Sequence, residues 1–288
     1  MGSLHKVGAK LVPARLKQPM QSLRVTGREV KYDLKKLFFK INDRPIIVLG
    51  NQKSGTTVMA ALLAQLTGSS LTLDLRRENN RPVYPFLKNG CEDWEDFLSR
   101  NRIEFSQDII KEPNLTILYK ELADSFPEAR FVYVLREPRD NIRSILNRLG
   151  LPGNLPSLTN EQWKSMPLRW RYAVDCRYLG FEADNYIEML AHRWRCLVDV
   201  YLQNTENFIL CTYEDFLKDK IGEIKRLAEK LGIPETDDIS AKVDVQYEPK
   251  GDRDISWIDF FGENNLFTIE NICKERMQKI GYRLEKRR

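Results

Sequence analysis

Histidine is nearly absent from this chain of 288 residues: His5 and His192 are the two it has. A histidine base therefore has two candidates, and His5 lies in a lysine-rich arm. Paired cysteines are missing as well. The five cysteines, at 91, 176, 196, 211 and 273, form no Cys-x-x-Cys spacing, and they read as reduced, mostly packed thiols of an intracellular protein. No run approaches 18 apolar residues and no apolar h-region follows the first residues, so neither a transmembrane span nor an ordinary secretory signal is expected. Internal repeats and low-complexity tracts are lacking too. What remains is an ordinary globular composition, 42% apolar and 30% charged, at a length that fits one domain with insertions better than two full ones.

Charge is unevenly placed. Residues 1–45 hold eleven Lys and Arg against three acids, so with a net charge of +5 overall the rest of the chain is slightly acidic, at about −3. Within this arm, VKYDLKKLFFKI sets Val30, Leu34, Leu37, Phe38 and Ile41 on roughly one helical face with lysines around it. Such a helix can dock on the body with its lysines in water, or rest on an anionic membrane. Nucleic acid is not expected as a partner, because no recognition motif accompanies the charge. The expected location is cytoplasmic, with peripheral membrane contact through the arm left open.

From residue 46 onward the pattern alternates. PIIVLG is a continuous apolar run of the kind found in a parallel strand buried on both faces. TTVMAALLAQLTG reads as a helix ended by Gly68, and SLTLDL as a second short strand. A polar region to about residue 114 follows, then the helical segment LTILYKELADSF and the clearest strand, ARFVYVLREP, with Pro138 at its exit. Further helices are expected at about 139–149, 183–204, 220–231 and 267–280, with another buried strand in NFILCTYEDF. Strands separated by helical crossovers predict an α/β fold: three layers, a mainly parallel central sheet with helices on both faces, like that of P-loop nucleotide hydrolases. The expected organisation is a basic arm over 1–45 and one domain over 46–288, with insertions at about 75–110 and 150–182.

The first strand runs into GNQKSGTT. Gly50 and Gly55 hold the two glycine positions of a phosphate-binding loop, yet the residue after the second glycine is Thr56 rather than lysine, and the nearby lysine is Lys53, inside the turn. Backbone amides from Lys53 to Thr57 together with a helix start suit a phosphate or sulfate without special side chains. Polar residues also follow two later strands, at Arg136–Ser144 and Tyr213–Asp215, where ligands of open α/β sheets bind.

GNQKSGTT followed by FVYVLREPRDNIRS resembles the sulfotransferases that use 3′-phosphoadenosine 5′-phosphosulfate, PAPS, as donor. Lys53, Ser54, Gly55, Thr56 and Thr57 match the family's 5′-phosphosulfate loop, with Asn51 and Gln52 departing from its usual residues. Arg136, with Ser144 eight residues later, matches its 3′-phosphate motif. YEDF at 213–216 and MQKIGY near the end are also similar to family segments, and the resemblance covers roughly residues 45–283. It implies that Lys53 stabilises charge on the phosphate oxygen released from sulfur, that Arg136 and Ser144 hold the 3′-phosphate, and that Tyr213 borders the nucleotide. Lys250, Gly251 and Arg253 resemble, with the preceding arginine missing, a loop that closes over it. No metal is required on this reading: a sulfuryl group carries less charge than a γ-phosphoryl group, which explains the displaced lysine.

Transfer to a hydroxyl, or to an amine, needs a proton acceptor. Glu78, 25 residues beyond Lys53, resembles the glutamate of glycan-acting members and is the first candidate. Asp74 is the second, Glu92, Glu104 and Glu112 stay open, and His192, inside EMLAHRWRCLV, reads more readily as structural. Lys111 with Pro113 resembles a Lys-x-Pro element placed near donor and acceptor. The acceptor itself stays open between a small molecule, a glycan and a lipid-like alcohol: Trp163, Trp170, Tyr172, Tyr178, Phe181 and Tyr186 within 24 residues suit a cleft wall or the core of a lid. A kinase or other phosphotransferase, and a non-catalytic binder of the product 3′-phosphoadenosine 5′-phosphate (PAP), are the alternative readings, and a homo-oligomer stays open.

Overall fold

The computed structural model describes residues 32, 34–245 and 255–284. By contacts the chain divides into Met1–Phe38 and Phe39–Arg288; within the first unit Tyr32 and 34–36 are helical.

Five strands form the sheet of the second unit: β1 (Ile46–Gly50), β2 (Leu71–Leu73), β3 (Ile109–Lys111), β4 (Arg130–Leu135) and β5 (Phe208–Thr212). Their order is β2-β3-β1-β4-β5, and every pair is parallel, with Val48 level with Lys111 on one side and Val132 on the other. The helices are α1 (Thr56–Thr67), α2 (Val83–Lys88), α3 (Trp94–Arg100), α4 (Tyr119–Ser125), α5 (Pro138–Leu149), α6 (Asn160–Ser165), α7 (Leu168–Val174), α8 (Tyr186–Leu202), α9 (Tyr213–Lys218), α10 (Lys220–Lys230) and α11 (Trp257–Lys279).

Alternation along the strands sorts side chains into two cores. Ile46, Val48, Val132 and Val134 meet α1 and α10 on one face. Ile47, Leu49, Tyr133 and Leu135 meet α5, α8 and α11 on the other. The result is the three-layer α/β architecture expected from the sequence. In α1, Met59, Leu62, Leu63 and Leu66 are at most 1% exposed, and each contributes roughly 1.5–3 kcal/mol of apolar burial. Gly68, in the left-handed region at φ 65°, ends that helix. In α5, Pro138 occupies the first turn and the Glu137 carboxylate accepts from Asp140 N.

Besides the short helices α2, α3, α6, α7 and α9, which the sequence reading did not include, two elements differ from it. Strand β3 lies in what reads as a polar region: three residues, each buried and paired on both sides, are too few to show a period. α11 begins ten residues before the expected 267, with a kink at Gly262 (φ 69°, ψ 167°) that breaks the helical pattern there.

Candidate active site

Between β1 and α1 the backbone makes a turn that only particular residues permit. Gly50 has φ 140°, and a Cβ there would stand 2.3 Å from the Val134 carbonyl oxygen. Gly55 has φ 97°, and its Cβ would stand 2.4 Å from Cδ2 of Tyr213. Lys53 adopts φ 65°, an uncommon conformation for a side chain-bearing residue. No side chain caps the start of α1, and its first turn holds no acid, so the positive end of the helix is not offset locally, an arrangement that suits an anion.

This turn is tied to the start of α5. Asn141, fully buried, accepts from Asn51 Nδ2 at 2.8 Å, and its own Nδ2 donates to the Gln52 carbonyl at 2.9 Å and to Ser54 Oγ at 3.0 Å. Arg136 Nη1 donates to the Lys53 carbonyl at 2.8 Å, and its guanidinium lies 4.5 Å from the centre of the Tyr213 ring. Thr116 Oγ1 bonds both the amide and the carbonyl of Gly50 at 2.9 Å. The loop is therefore held from β4, from α5 and from the segment after β3.

A cavity of about 630 Å³ opens at the carboxyl ends of the strands. On the β4 side of β1 it is lined by Arg136, Arg143, Ser144 and Tyr213, and at the loop by Lys53, Gly55, Thr56 and Thr57. Asp74 and Lys111, at the ends of β2 and β3, line it on the other side, together with Asn79 and Trp170; α7, which carries Trp170, packs on the 76–80 turn. Lys111 Nζ donates to Asp74 Oδ1 at 2.6 Å, and Asp74 has φ 61°. Beside them Glu112 accepts from Leu75 N at 3.0 Å and from Asn114 N and Nδ2 at 3.0 and 2.8 Å. Burial, then the Asp74 charge, raises the Glu112 carboxyl above its ordinary range, against the pull of Lys111.

The cavity thus gathers Lys53, Gly55, Thr56, Thr57, Asp74, Lys111, Arg136, Ser144 and Tyr213, nine of the sequence-predicted positions, with Ser54 buried beneath the loop. Glu78 is not among its lining residues. It is 3% exposed and turned toward the end of α3, where its Oε1 accepts from Asn101 Nδ2 at 2.8 Å and from Arg100 Nε at 3.4 Å. The tight turn Arg76–Asn80 presents Asn79 to the cavity instead. His192 also lies off the cavity: it stacks on Phe181 at 5.4 Å with Glu188 3.7 Å from its Nε2. Burial, and then the charge of Arg195, lowers its pKa. Lys250, Gly251 and Arg253 lie outside the described residues; Val243, Asp244 and Val245, which precede them, line the cavity.

Sequence reasoning missed Asn141, the residue that joins the two motifs, although it lies between Arg136 and Ser144. Arg139, near the same motif, turns away to Glu270 at 2.8 Å and the Arg283 carbonyl at 2.9 Å, with its guanidinium 3.8 Å from the centre of the Trp257 ring. Among the described residues no group of three or more His, Cys, Asp or Glu is arranged to hold a metal ion, and no helix is long and apolar enough to cross a membrane.

A parallel sheet with a glycine loop feeding an uncapped helix, and a cation-lined cavity beyond its strands, defines an α/β protein of the phosphate-loop type. The sulfotransferase domain family matches residues 43–253, and the chain belongs to it. It is a sulfuryl-transferring enzyme. No curated protein matches the sequence. Among solved structures, the sulfotransferase STF9 of Mycobacterium avium is 16% identical, with 90% of this chain and 82% of that one covered at a TM-score of 0.52, which shows a shared fold. A sulfotransferase of Alicyclobacillus acidocaldarius is 14% identical over 84% of this chain and 97% of its own, at 0.49. Mouse sulfotransferase SULT7A1, solved in complex with PAP, is 18% identical over 86% and 90%, at 0.48.

Proposed function

We propose that this sulfotransferase takes its sulfuryl group from PAPS and passes it to a hydroxyl acceptor that enters on the β2–β3 side of the loop. The observation that carries the reading is the meeting of Lys53 and the α1 amides with Arg136 and Ser144 on one flank and with Asp74 and Lys111 on the other, in a single cavity. The loop amides, Thr56 and Thr57 suit the 5′-phosphosulfate. Arg136, whose fork of donors leaves the end of a buried strand, suits the 3′-phosphate with Ser144.

In the transfer the bond between sulfur and the phosphate oxygen breaks as one forms between sulfur and the acceptor oxygen. Lys53 meets the charge that develops on the departing phosphate oxygen. Asp74 takes the acceptor proton, in preference to Glu78, because its carboxylate lines the cavity and that of Glu78 is committed to Asn101 and Arg100. Lys111, bonded to Asp74, holds that carboxylate and adds positive charge beside the reacting group. Trp170 gives the acceptor side an aromatic wall, suited to an apolar portion of a small molecule, a glycan or a lipid-like alcohol.

Titration calorimetry with PAP, with and without EDTA, tests the donor assignment. Binding that survives chelation is expected. A protein that ignores PAP, or that binds it only with divalent metal, would sink the reading.

A further inference from the structure

Arg193, in the middle of α8, is fully buried, with 0% exposure. Its guanidinium reaches two parts of the chain that are far apart in sequence. On one side Nη2 and Nε donate to Gln52 Oε1 at 2.8 and 3.2 Å, and Nε also donates to Asn51 Oδ1 at 3.2 Å. On the other, Nη1 donates to the Tyr178 hydroxyl at 3.2 Å and lies 3.8 Å from Cys176 Sγ, both in the acceptor-side insertion. None of these partners is an anion. Burial pushes the Tyr178 phenol up to about 12 and the Cys176 thiol up to about 11, so both are neutral at pH 7.

A buried cation without a carboxylate is costly unless some other charge answers it. The anion site is one residue away. Gln52, which receives two of the guanidinium's hydrogen bonds, itself lines the cavity and donates through Nε2 to Asn114 Oδ1 in the segment after β3. We propose that Arg193 is a positioning residue: its cation sets Gln52 and the donor loop from behind, adds to the positive potential on the bound donor, and ties the acceptor-side segment 176–178 to that loop. The proposal rests on the PAPS reading above. It adds a physical link between the two halves of the reaction, since whatever orders the loop also orders one edge of the insertion, and by thermodynamic reciprocity the converse holds.

The experiment measures PAP affinity by calorimetry and amide hydrogen exchange over residues 170–182 with and without PAP, in the wild type, Arg193→Lys and Arg193→Met, with Tm recorded for each. Wild-type PAP binding should protect 170–182. Arg193→Met should weaken PAP by about tenfold or more and abolish that protection. Arg193→Lys, which keeps the charge and loses the fork, should recover much of the affinity and little of the protection. If Arg193→Met fails to fold, Tyr178→Phe, which removes only the far end of the link, should keep PAP affinity within about threefold while reducing the PAP-induced protection. PAP affinity unchanged in a folded Arg193→Met, or full protection in Tyr178→Phe, would overturn the inference. Failure of the wild type to bind PAP would overturn the functional reading instead, so the two failures are told apart.

Discussion

Lys111 Nζ and Asp74 Oδ1 are 2.6 Å apart at the ends of adjacent parallel strands, and Asp74 makes that contact from a left-handed backbone conformation. Apart from Lys53 of the β1–α1 loop, it is the one described non-glycine residue with positive φ. Strain of this sort costs of order 1–3 kcal/mol and persists where the surroundings impose it. Here it aims a carboxylate into the cavity instead of continuing β2.

Asparagine tolerates the same backbone conformation, so Asp74→Asn should fold with a Tm close to wild type and bind PAP, while turnover falls by about 10²–10⁴. Glu78→Gln should behave the other way: turnover largely kept, and stability reduced by about 1–3 kcal/mol as a buried carboxylate bonded to Asn101 is altered. Steady-state kinetics beside thermal melts reads both. Full activity in Asp74→Asn would remove Asp74 as the base.

Arg136→Ala removes a guanidinium that lines the cavity and also bonds the Lys53 carbonyl. PAP affinity should fall by about 1.5–3 kcal/mol, and AMP, which lacks the 3′-phosphate, should lose much less. Equal losses by calorimetry would mean that the arginine acts only through the loop carbonyl.

Gly55→Ala meets two obstacles, the Tyr213 ring at 2.4 Å and φ 97°. The variant should lose measurable PAP binding and melt several degrees lower. Adding Tyr213→Ala relieves the clash and leaves the backbone cost, about 1–3 kcal/mol, so the double variant should recover Tm in part. Complete recovery would show that ring contact, and not backbone conformation, selects glycine.

Burial pushes Glu137 up to about 7 from 4.5, outweighing the opposing charge of Arg139, 2.5 Å away. The folded chain then keeps a proton that the unfolded chain has released, so the stability linked to this group is full below about pH 4.5 and lost as pH rises through 7. Relative to wild type, Glu137→Gln should gain in Tm as pH is raised from about 4.5 to 8. A pH-independent difference in melting would show that Glu137 titrates normally in the fold.

The parts of the site readable in advance were those whose geometry is local. A glycine spacing after an apolar run gives the β1–α1 loop, and Arg136 with Ser144 across two turns of α5 gives the second motif. Strand β3 escaped because Ile109–Lys111 is too short for a period, though its last residue, Lys111, was singled out by its own motif. The carboxylate assignment is sensitive to rotation: within the tight turn Arg76–Asn80 a shift of one residue exchanges cavity for core, and Asn79 rather than Glu78 won the cavity. Arg193 was unreadable for another reason. In EMLAHRWRCLV the histidine draws attention, yet the arginine beside it is the side chain that long-range packing turns to the loop.

On the proposed function, the strand order β2-β3-β1-β4-β5 lays the reaction out along the width of the sheet. Arg136 leaves β4, the anion loop leaves the central β1, and Lys111 and Asp74 leave β3 and β2, so the path from nucleotide to acceptor crosses the strands one by one. The crossover from β2 to β3, which carries the 76–100 helices, hangs from the acceptor end of that path. Lengthening or recasting it would leave β4, β1 and their joining Asn141 where they are. On that reading the sheet divides its width between the two substrates: the β4 and β1 side holds the donor, and the β3 and β2 side receives the acceptor.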